Sequence, residues 1–120
     1  MSYGNGDGTT YRNFTSLDIC AHEFGHGICE YTCNLAYNYN ESGSLNEGFS
    51  DIWGAVIEAW AMPNNPPKNR WLIGEEVYVP APNYLRSMNN PNSSPSPQPD
   101  TYGGTFWTNG GIEMHKGSGV

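Results

Sequence analysis

Apolar residues recur at helical spacing in two stretches of the chain, about residues 16–31 and about residues 45–60. In the first stretch the apolar positions are Ile19, Cys20, Phe24, Ile28 and Tyr31. Thr15 and Asp18 have the spacing of a capping box, in which two side chains satisfy free backbone groups at a helix start. The pattern therefore predicts an α-helix over the first stretch.

The second stretch has an apolar side and an acidic side. The apolar side consists of Phe49, Ile52, Val56 and Ala59. The acidic side carries the carboxylates of Glu47, Asp51 and Glu58, with Gly54 on the same line. These four positions recur at helical steps along one face. Carboxylates on one helical stripe repel each other unless something positive lies opposite. Either this stripe faces open solvent, or a metal and a histidine-bearing helix face it.

Residues 33–44 and 61–120 are rich in loop-forming residues. Proline and asparagine interrupt residues 63–67 and 89–99, so no regular element is expected there, and residues 89–99 are predicted to be a surface loop. A short strand or turn is expected within Trp71–Val79. The pattern thus predicts two helices followed by a loop-rich remainder.

Composition excludes some functions. The chain has 120 residues, a formal net charge of −7 and five Lys or Arg residues. Nucleic-acid binding needs clustered basic side chains, so no nucleic-acid partner is expected. No apolar run predicts a membrane span, and no signal peptide is expected within this chain. Cys20, Cys29 and Cys33 lie on or near the first helix, where small buried thiols are expected rather than a disulfide.

The motif His22-Glu23-Phe24-Gly25-His26 lies in the first predicted helix. Its two histidines are one turn apart, so both imidazoles project from one face and can bind one ion. Glu23 lies near such an ion without being placed to bind beside the histidines. This arrangement is typical of a zinc hydrolase with two ligands and a base for a zinc-activated water.

A zinc hydrolase also needs a third ligand and supporting groups. Glu47, at the start of the second predicted helix, follows a loop long enough to bring the two helices antiparallel. Asp51 lies one turn further on and can accept the ring N–H of His22, which would orient that ligand. His115 or Tyr37 can donate a hydrogen bond to a developing oxyanion.

Several further motifs accompany this set in a fixed order. They are Tyr3–Gly8, Asn40–Gly43, Asn46–Asp51, Ile73–Glu75, Leu85–Met88, and Asn109–Gly111 before His115. Together with the histidine motif, this order resembles the thermolysin family of zinc endopeptidases (gluzincins) over essentially the whole chain. The resemblance implies a zincin-like α+β fold, mainly α in this segment. It also implies that residues 1–120 form a single partial catalytic domain, without the family's preceding β-rich lobe and following helices.

The resemblance assigns roles by matching position. Zinc is the implied cofactor, with His22, His26 and Glu47 as its ligands. Glu23 is implied to activate water, Asp51 to orient His22, and Tyr37 and His115 to stabilise the tetrahedral intermediate.

The resemblance also implies how substrate is held. Arg86 would hold the substrate carbonyl on the leaving-group side. The pocket for the residue after the scissile bond would be lined by Tyr11, Ile19, Ile73 and Leu85. Such an apolar pocket implies a preference for bulky apolar side chains at that position.

Two departures from the family pattern leave alternatives open. Asp18, Glu58 and Glu75 match calcium ligands of the family, but Arg70 and Leu72 stand where acidic residues would complete that site. Either calcium binds there, or Arg70 replaces it by pairing with Glu58 or Glu75. The second departure is Thr108, which stands where the family has the acidic partner of the histidine. Glu113 is the nearby residue that would have to substitute.

The resemblance implies a secreted parent protein, a monomer that acts on peptide or protein substrates and has no membrane partner. The alternative is a zinc-binding but catalytically incompetent fragment or degenerate homologue that binds peptide or a partner. A third interpretation is a calcium-binding module on residues 4–8, whose Asp, Asn and Gly alternate.

Overall fold

The computed structural model describes residues 2–38, 41–64, 69–79, 83–107 and 113–119. The elements in this part of the chain are α1 (Leu17–Cys33), α2 (Glu41–Ala61), β1 (Leu72–Ile73), β2 (Arg86–Ser87) and α3 (Met114–Gly117). The segment is therefore mainly α with a small sheet, as predicted. Across these ranges, no helix is both long and apolar enough to cross a membrane.

The start of α1 differs from the predicted capping box. Ser16 occupies the N-cap position, but its side chain makes no capping hydrogen bond. Asp18 instead accepts the N–H groups of Ile19 at 2.7 Å and of Gly74 at 2.6 Å. The helix ends at Asn34, which adopts a left-handed φ of 51° and donates its backbone N–H to the Cys29 carbonyl.

The second helix begins earlier than predicted, at Glu41 rather than near Leu45. Its first turn is polar and lacks the apolar periodicity that marks the rest of the helix. Glu41 places a carboxylate in that turn, where it complements the positive end of the helix dipole. Ser42 Oγ donates to the Ala36 carbonyl at 3.0 Å, which ties the extra turn to the preceding connection.

Glycines allow α1 and α2 to pack closely. A Cβ on Gly25 would lie 2.8 Å from Ser50 Cα, and one on Gly54 would lie 2.7 Å from the Asp18 carbonyl oxygen. The contact buries the acidic stripe of α2, which consists of Glu47, Asp51, Gly54 and Glu58. The stripe therefore faces the histidine helix and not open solvent.

The apolar side of α2 consequently points away from α1. Phe49 is 47% exposed, Ile52 is 47% exposed and Val56 is 54% exposed. Buried apolar side chains are instead Ile19, Ala21, Cys29, Ala55, Ile73, Val77 and Met114. The contact between the long helices is thus largely polar, which suits a functional site better than a hydrophobic core.

The sheet positions one site residue. β1 and β2 pair antiparallel, with Leu72 opposite Ser87 and Ile73 opposite Arg86. The start of the chain joins this region through a bridge between Tyr11 and Tyr78. Arg86 is thereby held within hydrogen-bond distance of α2.

Part of the segment 89–99 is buried, so the prediction of a surface loop was wrong there. The segment contains a 3-10 turn at Pro91–Ser93, and Ser94, Gln98 and Pro99 are buried. Gln98 Nε2 donates to the His115 carbonyl, so this segment supports α3. Thr108 and the Asn109–Gly111 motif lie outside the described residues.

The glycine-rich segment 4–8 contains a tight turn. Asp7 Oδ1 accepts the N–H groups of Thr9, Thr10 and Tyr11 at 2.9, 2.7 and 2.8 Å. These hydrogen bonds hold the pKa of Asp7 below its usual value. The carboxylate already has partners within its own turn, which favours the turn over a calcium-binding module.

Candidate functional site

The two histidines of α1 are oriented by acceptors on α2. His22 Nδ1 lies 2.8 Å from Asp51 Oδ1, although the ring N–H is not aimed straight at that oxygen. His26 Nδ1 lies 2.7 Å from Asn46 Oδ1. The two rings meet edge to face with centroids 4.6 Å apart. Both Nε2 atoms are therefore left facing Glu47.

Glu47 lies where a third ligand is needed. Its side chain is buried, and its two oxygens lie 3.5 Å from His22 Nε2 and 3.5 Å from His26 Nε2. Ligand atoms of a tetrahedral zinc ion with bonds of about 2.0–2.1 Å lie roughly 3.4 Å apart. Glu47 Oε2 is also buried and has no hydrogen-bond partner among the described residues. Each 3.5 Å separation, one for each Glu47 oxygen, is close to this ligand spacing, so His22, His26 and Glu47 are near enough to share a zinc ion.

Glu23 lies beside this ligand set. Ligand atoms of His22, Glu23 and His26 all lie within 4.8 Å of one another. The side chain is half-buried and lines the same cavity as both histidines. A carboxylate in this position can take a proton from a water molecule held at the site.

Tyr37 and His115 meet at Glu47 from the other side. The Tyr37 hydroxyl donates to Glu47 Oε1 at 2.6 Å, and its oxygen lies 3.0 Å from His115 Nε2. His115 Nε2 also lies 3.3 Å from Glu47 Oε1. Burial, followed by the hydrogen bond to Glu47, raises the pKa of Tyr37 well above its usual value, so the phenol remains a donor.

Glu113 contacts the other ring nitrogen of His115. Its Oε1 is within hydrogen-bond distance of His115 Nδ1 and also accepts the His115 backbone N–H at 3.4 Å. Although only one residue separates them in the chain, the turn that starts α3 brings the carboxylate back to the ring. The described part of the chain thus contains an acidic partner for His115.

Arg86 is paired with Asp51. Its Nε and Nη2 donate to the two Asp51 oxygens at 2.6 Å each, and Nη2 lies 3.9 Å from Glu47 Oε2. Burial would raise the pKa of Asp51, but Arg86 and His22 outweigh it and hold the pKa below its usual value. Asp51 therefore stays ionised and holds both His22 and Arg86.

These groups share a cavity of about 720 Å³. Ile19, Leu85 and Phe14 contribute its apolar lining, and Arg86 and His115 also border it. Two residues predicted to line the apolar pocket do not border this cavity. Ile73 is buried in the core, and the Tyr11 ring packs against Phe14 and Tyr78.

A second acidic cluster lies at the far end of the helix pair. Burial, followed by the charge of Asp18, raises the pKa of Glu58 to about 7. Burial also raises the pKa of Glu75 to about 7, and both Glu75 oxygens are buried without a hydrogen-bond partner among the described residues. Arg70 is exposed, and no ion pair within the described ranges joins it to Glu58 or Glu75. The structure therefore contradicts direct replacement of the ion by Arg70.

Sequence reasoning missed three groups of this site. Asn46 and Ser50 both contact His26 Nδ1, Ser50 Oγ at 3.2 Å, and Phe14 lines the cavity. Asn46 precedes Glu47 directly, and Ser50 is one turn beyond it. Their helical spacing was a usable signal for residues that face α1.

A helix-borne histidine pair, a buried glutamate on a second helix and an adjacent carboxylate define a zinc-peptidase type of centre. Comparisons with known proteins agree with this class. Residues 33–120 match the family model described as thermolysin metallopeptidase, alpha-helical domain, and residues 1–30 match thermolysin metallopeptidase, catalytic domain. The chain belongs to the thermolysin metallopeptidase family.

Individual relatives support the assignment. A bacillolysin from Bacillus caldolyticus and a thermolysin from Alicyclobacillus acidocaldarius are each 42% identical over 122 residues, covering 98% of this chain. The chain spans 21% of the length of each of these relatives. The structure of a protealysin precursor from Serratia proteamaculans matches with a TM-score of 0.80 at 30% identity, covering 98% of this chain and 40% of that one. The predicted family and the α+β fold are confirmed, whereas the single partial catalytic domain stays a prediction.

Proposed function

We propose that the parent protein is a zinc endopeptidase that hydrolyses peptide bonds with an activated water molecule. The observation that carries this proposal is the pair of 3.5 Å separations between Glu47 oxygens and the Nε2 atoms of His22 and His26. A zinc ion held by these three residues would supply the positive charge that makes a water molecule acidic near neutral pH.

The residues around this position supply the proton transfers. Glu23 accepts a proton from the water molecule while the water oxygen attacks the peptide carbonyl carbon. Glu23 then passes that proton to the leaving amine. His115 and Tyr37 border the cavity, and each would exchange its present contact for a hydrogen bond to the carbonyl oxygen as that oxygen becomes negative. Each role uses a group that already points into the same cavity.

Arg86 is the group we propose for holding the substrate carbonyl on the leaving-group side. Asp51 receives the hydrogens of Nε and Nη2. Nη1 and the second hydrogen of Nη2 are therefore left for a substrate oxygen, and the Asp51 pair fixes their direction. Arg86 borders the cavity, which supports this role.

We propose a preference for bulky apolar residues after the scissile bond. Ile19, Leu85 and Phe14 give the cavity an apolar lining. Burial of such a substrate side chain stabilises binding by about 25 cal/mol per Å² of apolar surface removed from water. Phe14 takes the place in this lining that the resemblance had implied for Tyr11.

We propose a second metal, calcium, at Asp18, Glu58 and Glu75. Both Glu75 oxygens are buried without a hydrogen-bond partner among the described residues, and burial beside Asp18 raises the pKa of Glu58, as expected of carboxyl groups that have no cation beside them. Oxygen donors of this kind are those that calcium prefers. Family membership also supports our proposal that the parent is a secreted monomer acting on peptide or protein substrates.

The decisive experiment substitutes Glu23→Gln in the parent protein. We expect hydrolysis of a peptide substrate to be abolished while one zinc ion per chain remains bound, because Glu23 is the base and not a ligand. Zinc is measured by atomic absorption and hydrolysis by cleavage of a quenched fluorescent peptide. Undiminished hydrolysis by the variant would contradict the mechanism.

The same assays test the alternative, a zinc-binding segment without turnover. The short span of this chain relative to its relatives favours that outcome for the 120-residue chain on its own. Zinc bound equally by the chain and the parent, with hydrolysis by the parent alone, would assign binding to these residues and turnover to the longer protein. An inactive parent that binds zinc would favour the alternative for the whole protein.

A further inference from the structure

His115 lies on a short element with little to hold its ring. α3 spans Met114–Gly117, and the His115 side chain is 48% exposed. Gln98 anchors the backbone carbonyl of His115 but does not touch the ring. Besides an edge-to-face contact with the Tyr37 ring, the contacts that hold the ring among the described residues are those of its two nitrogens.

Glu113 makes the contact at Nδ1. One oxygen, Glu113 Oε1, receives both the backbone N–H of His115 and its ring Nδ1. Because both donors belong to one residue, the carboxylate restrains the side-chain torsions of His115 as well as its position. We propose that Glu113 is a positioning residue that fixes the orientation of His115 by accepting from its Nδ1–H. Its role in turnover rests on the proposed endopeptidase function, whereas the contact itself does not.

The other ring nitrogen of His115, Nε2, faces Tyr37 and Glu47. The Tyr37 hydroxyl donates to Glu47, and its oxygen lies 3.0 Å from His115 Nε2. A ring held at Nδ1 by Glu113 thus directs Nε2 toward Tyr37, Glu47 and the cavity.

The charges around Glu113 agree with an ionised partner. Burial would raise the pKa of Glu113, but the contact with His115 outweighs it and holds the pKa below its usual value. Lys116 on the same helix acts in the same direction. Glu47 lies on the opposite side of the ring, 3.3 Å from Nε2.

Glu113 also occupies the N-cap of α3, so the test must separate capping from ring positioning. Glu113→Ser retains a good N-cap side chain but is too short to reach the ring. Glu113→Gln retains both the length and an acceptor oxygen but removes the charge. Glu30→Gln is the control, since it removes a carboxylate from the same cavity wall without contacting His115.

The first readout is the His115 tautomer, measured by proton–nitrogen correlation NMR on the zinc-loaded 120-residue chain. We expect Nδ1 to carry a hydrogen in the wild type, in Glu30→Gln and in Glu113→Gln. In Glu113→Ser, where no carboxylate faces Nδ1, the hydrogen should no longer favour that nitrogen. This readout does not depend on turnover. A wild-type ring without a proton on Nδ1, or an unchanged tautomer in Glu113→Ser, would overturn the proposal.

The second readout is steady-state kinetics of the parent protein. We expect Glu113→Ser to lower kcat about 10–100-fold with little change in KM, as is typical when the partner of an active-site histidine is lost. Glu113→Gln should recover part of kcat. Equal kcat in Glu113→Ser and wild type would overturn the role in turnover. If the wild-type parent itself is inactive, the proposed function fails, while the NMR result still decides whether Glu113 positions His115.

Discussion

At the scale of single residues, the site depends on which nitrogen of each histidine is held. Asn46 Oδ1 lies 2.7 Å from His26 Nδ1, and Asn46 Nδ2 donates to the Leu35 carbonyl at 2.7 Å. The amide is therefore fixed by the loop before α2 and in turn fixes the ring. In the same way, Asp51 contacts His22 Nδ1 and is itself held in place by Arg86.

We predict that Asn46→Ala weakens zinc binding about 10–100-fold, because His26 loses the acceptor that directs its Nε2 toward Glu47. Asn46→Asp keeps an acceptor oxygen and is expected to bind zinc more tightly than Asn46→Ala. Competition with a zinc-chelating dye gives the affinities. Asn92→Ala, at an asparagine in the 3-10 turn, is the remote control. Equal affinities of Asn46→Ala and wild type would show that Asn46 does not hold the ligand.

At the scale of elements, the close contact of α1 and α2 brings the ligands together, and two glycines of α1 test it. We predict that Gly25→Ala destabilises the fold by about 1–3 kcal/mol, because the new Cβ would lie 2.8 Å from Ser50 Cα. Apart from the adjacent residues and the backbone of α1, no heavy atom of the described residues lies within 4 Å of a Cβ built on Gly27, so Gly27→Ala should stabilise the fold by up to about 1 kcal/mol through helix propensity. Urea unfolding of the zinc-loaded chain measures both. The same sign for both variants would contradict the close contact.

The elements also show how far the sequence could predict the site. His22, His26 and Glu23 follow from spacing within one helix, and the acidic stripe of α2 follows from the same periodicity. The contact of Glu113 with His115 could not be predicted from spacing, because it depends on where a four-residue helix begins. The start of α2 was placed too late because its first turn carries no apolar signal.

At the scale of the whole molecule, contacts between distant segments decide what periodicity alone leaves open. Phe14 borders the cavity, whereas the Tyr11 ring packs against Tyr78, a partner far along the chain. The buried part of residues 89–99 depends on packing against α3, which a low-complexity sequence does not indicate. The order of the motifs predicted the family. The tertiary contacts decide which side chain lies at each position of the site.

The acidic cluster at Asp18, Glu58 and Glu75 makes the stability of the whole chain depend on pH. The carboxyls of Glu58 and Glu75 titrate near 4.5 when unperturbed and near 7 in the fold. Between these values the folded chain binds more protons than the unfolded chain, so its stability falls as pH rises. A cation bound to the cluster would favour the ionised carboxylates and oppose that loss.

We therefore predict that the thermal midpoint of the zinc-saturated chain in calcium-free buffer falls between pH 5 and pH 8 (about the range that spans both titrations). The fall should be smaller in Glu58→Gln and in Glu75→Gln, each of which removes one titrating group. Added calcium should raise the midpoint of the wild type at the upper end of this range and have less effect in either variant. Differential scanning calorimetry gives all of these midpoints.

Equal pH dependence in wild type and both variants would show that the cluster does not control stability. A wild-type midpoint that calcium leaves unchanged would rule out a calcium site there, because bound calcium must stabilise the folded chain by mass action.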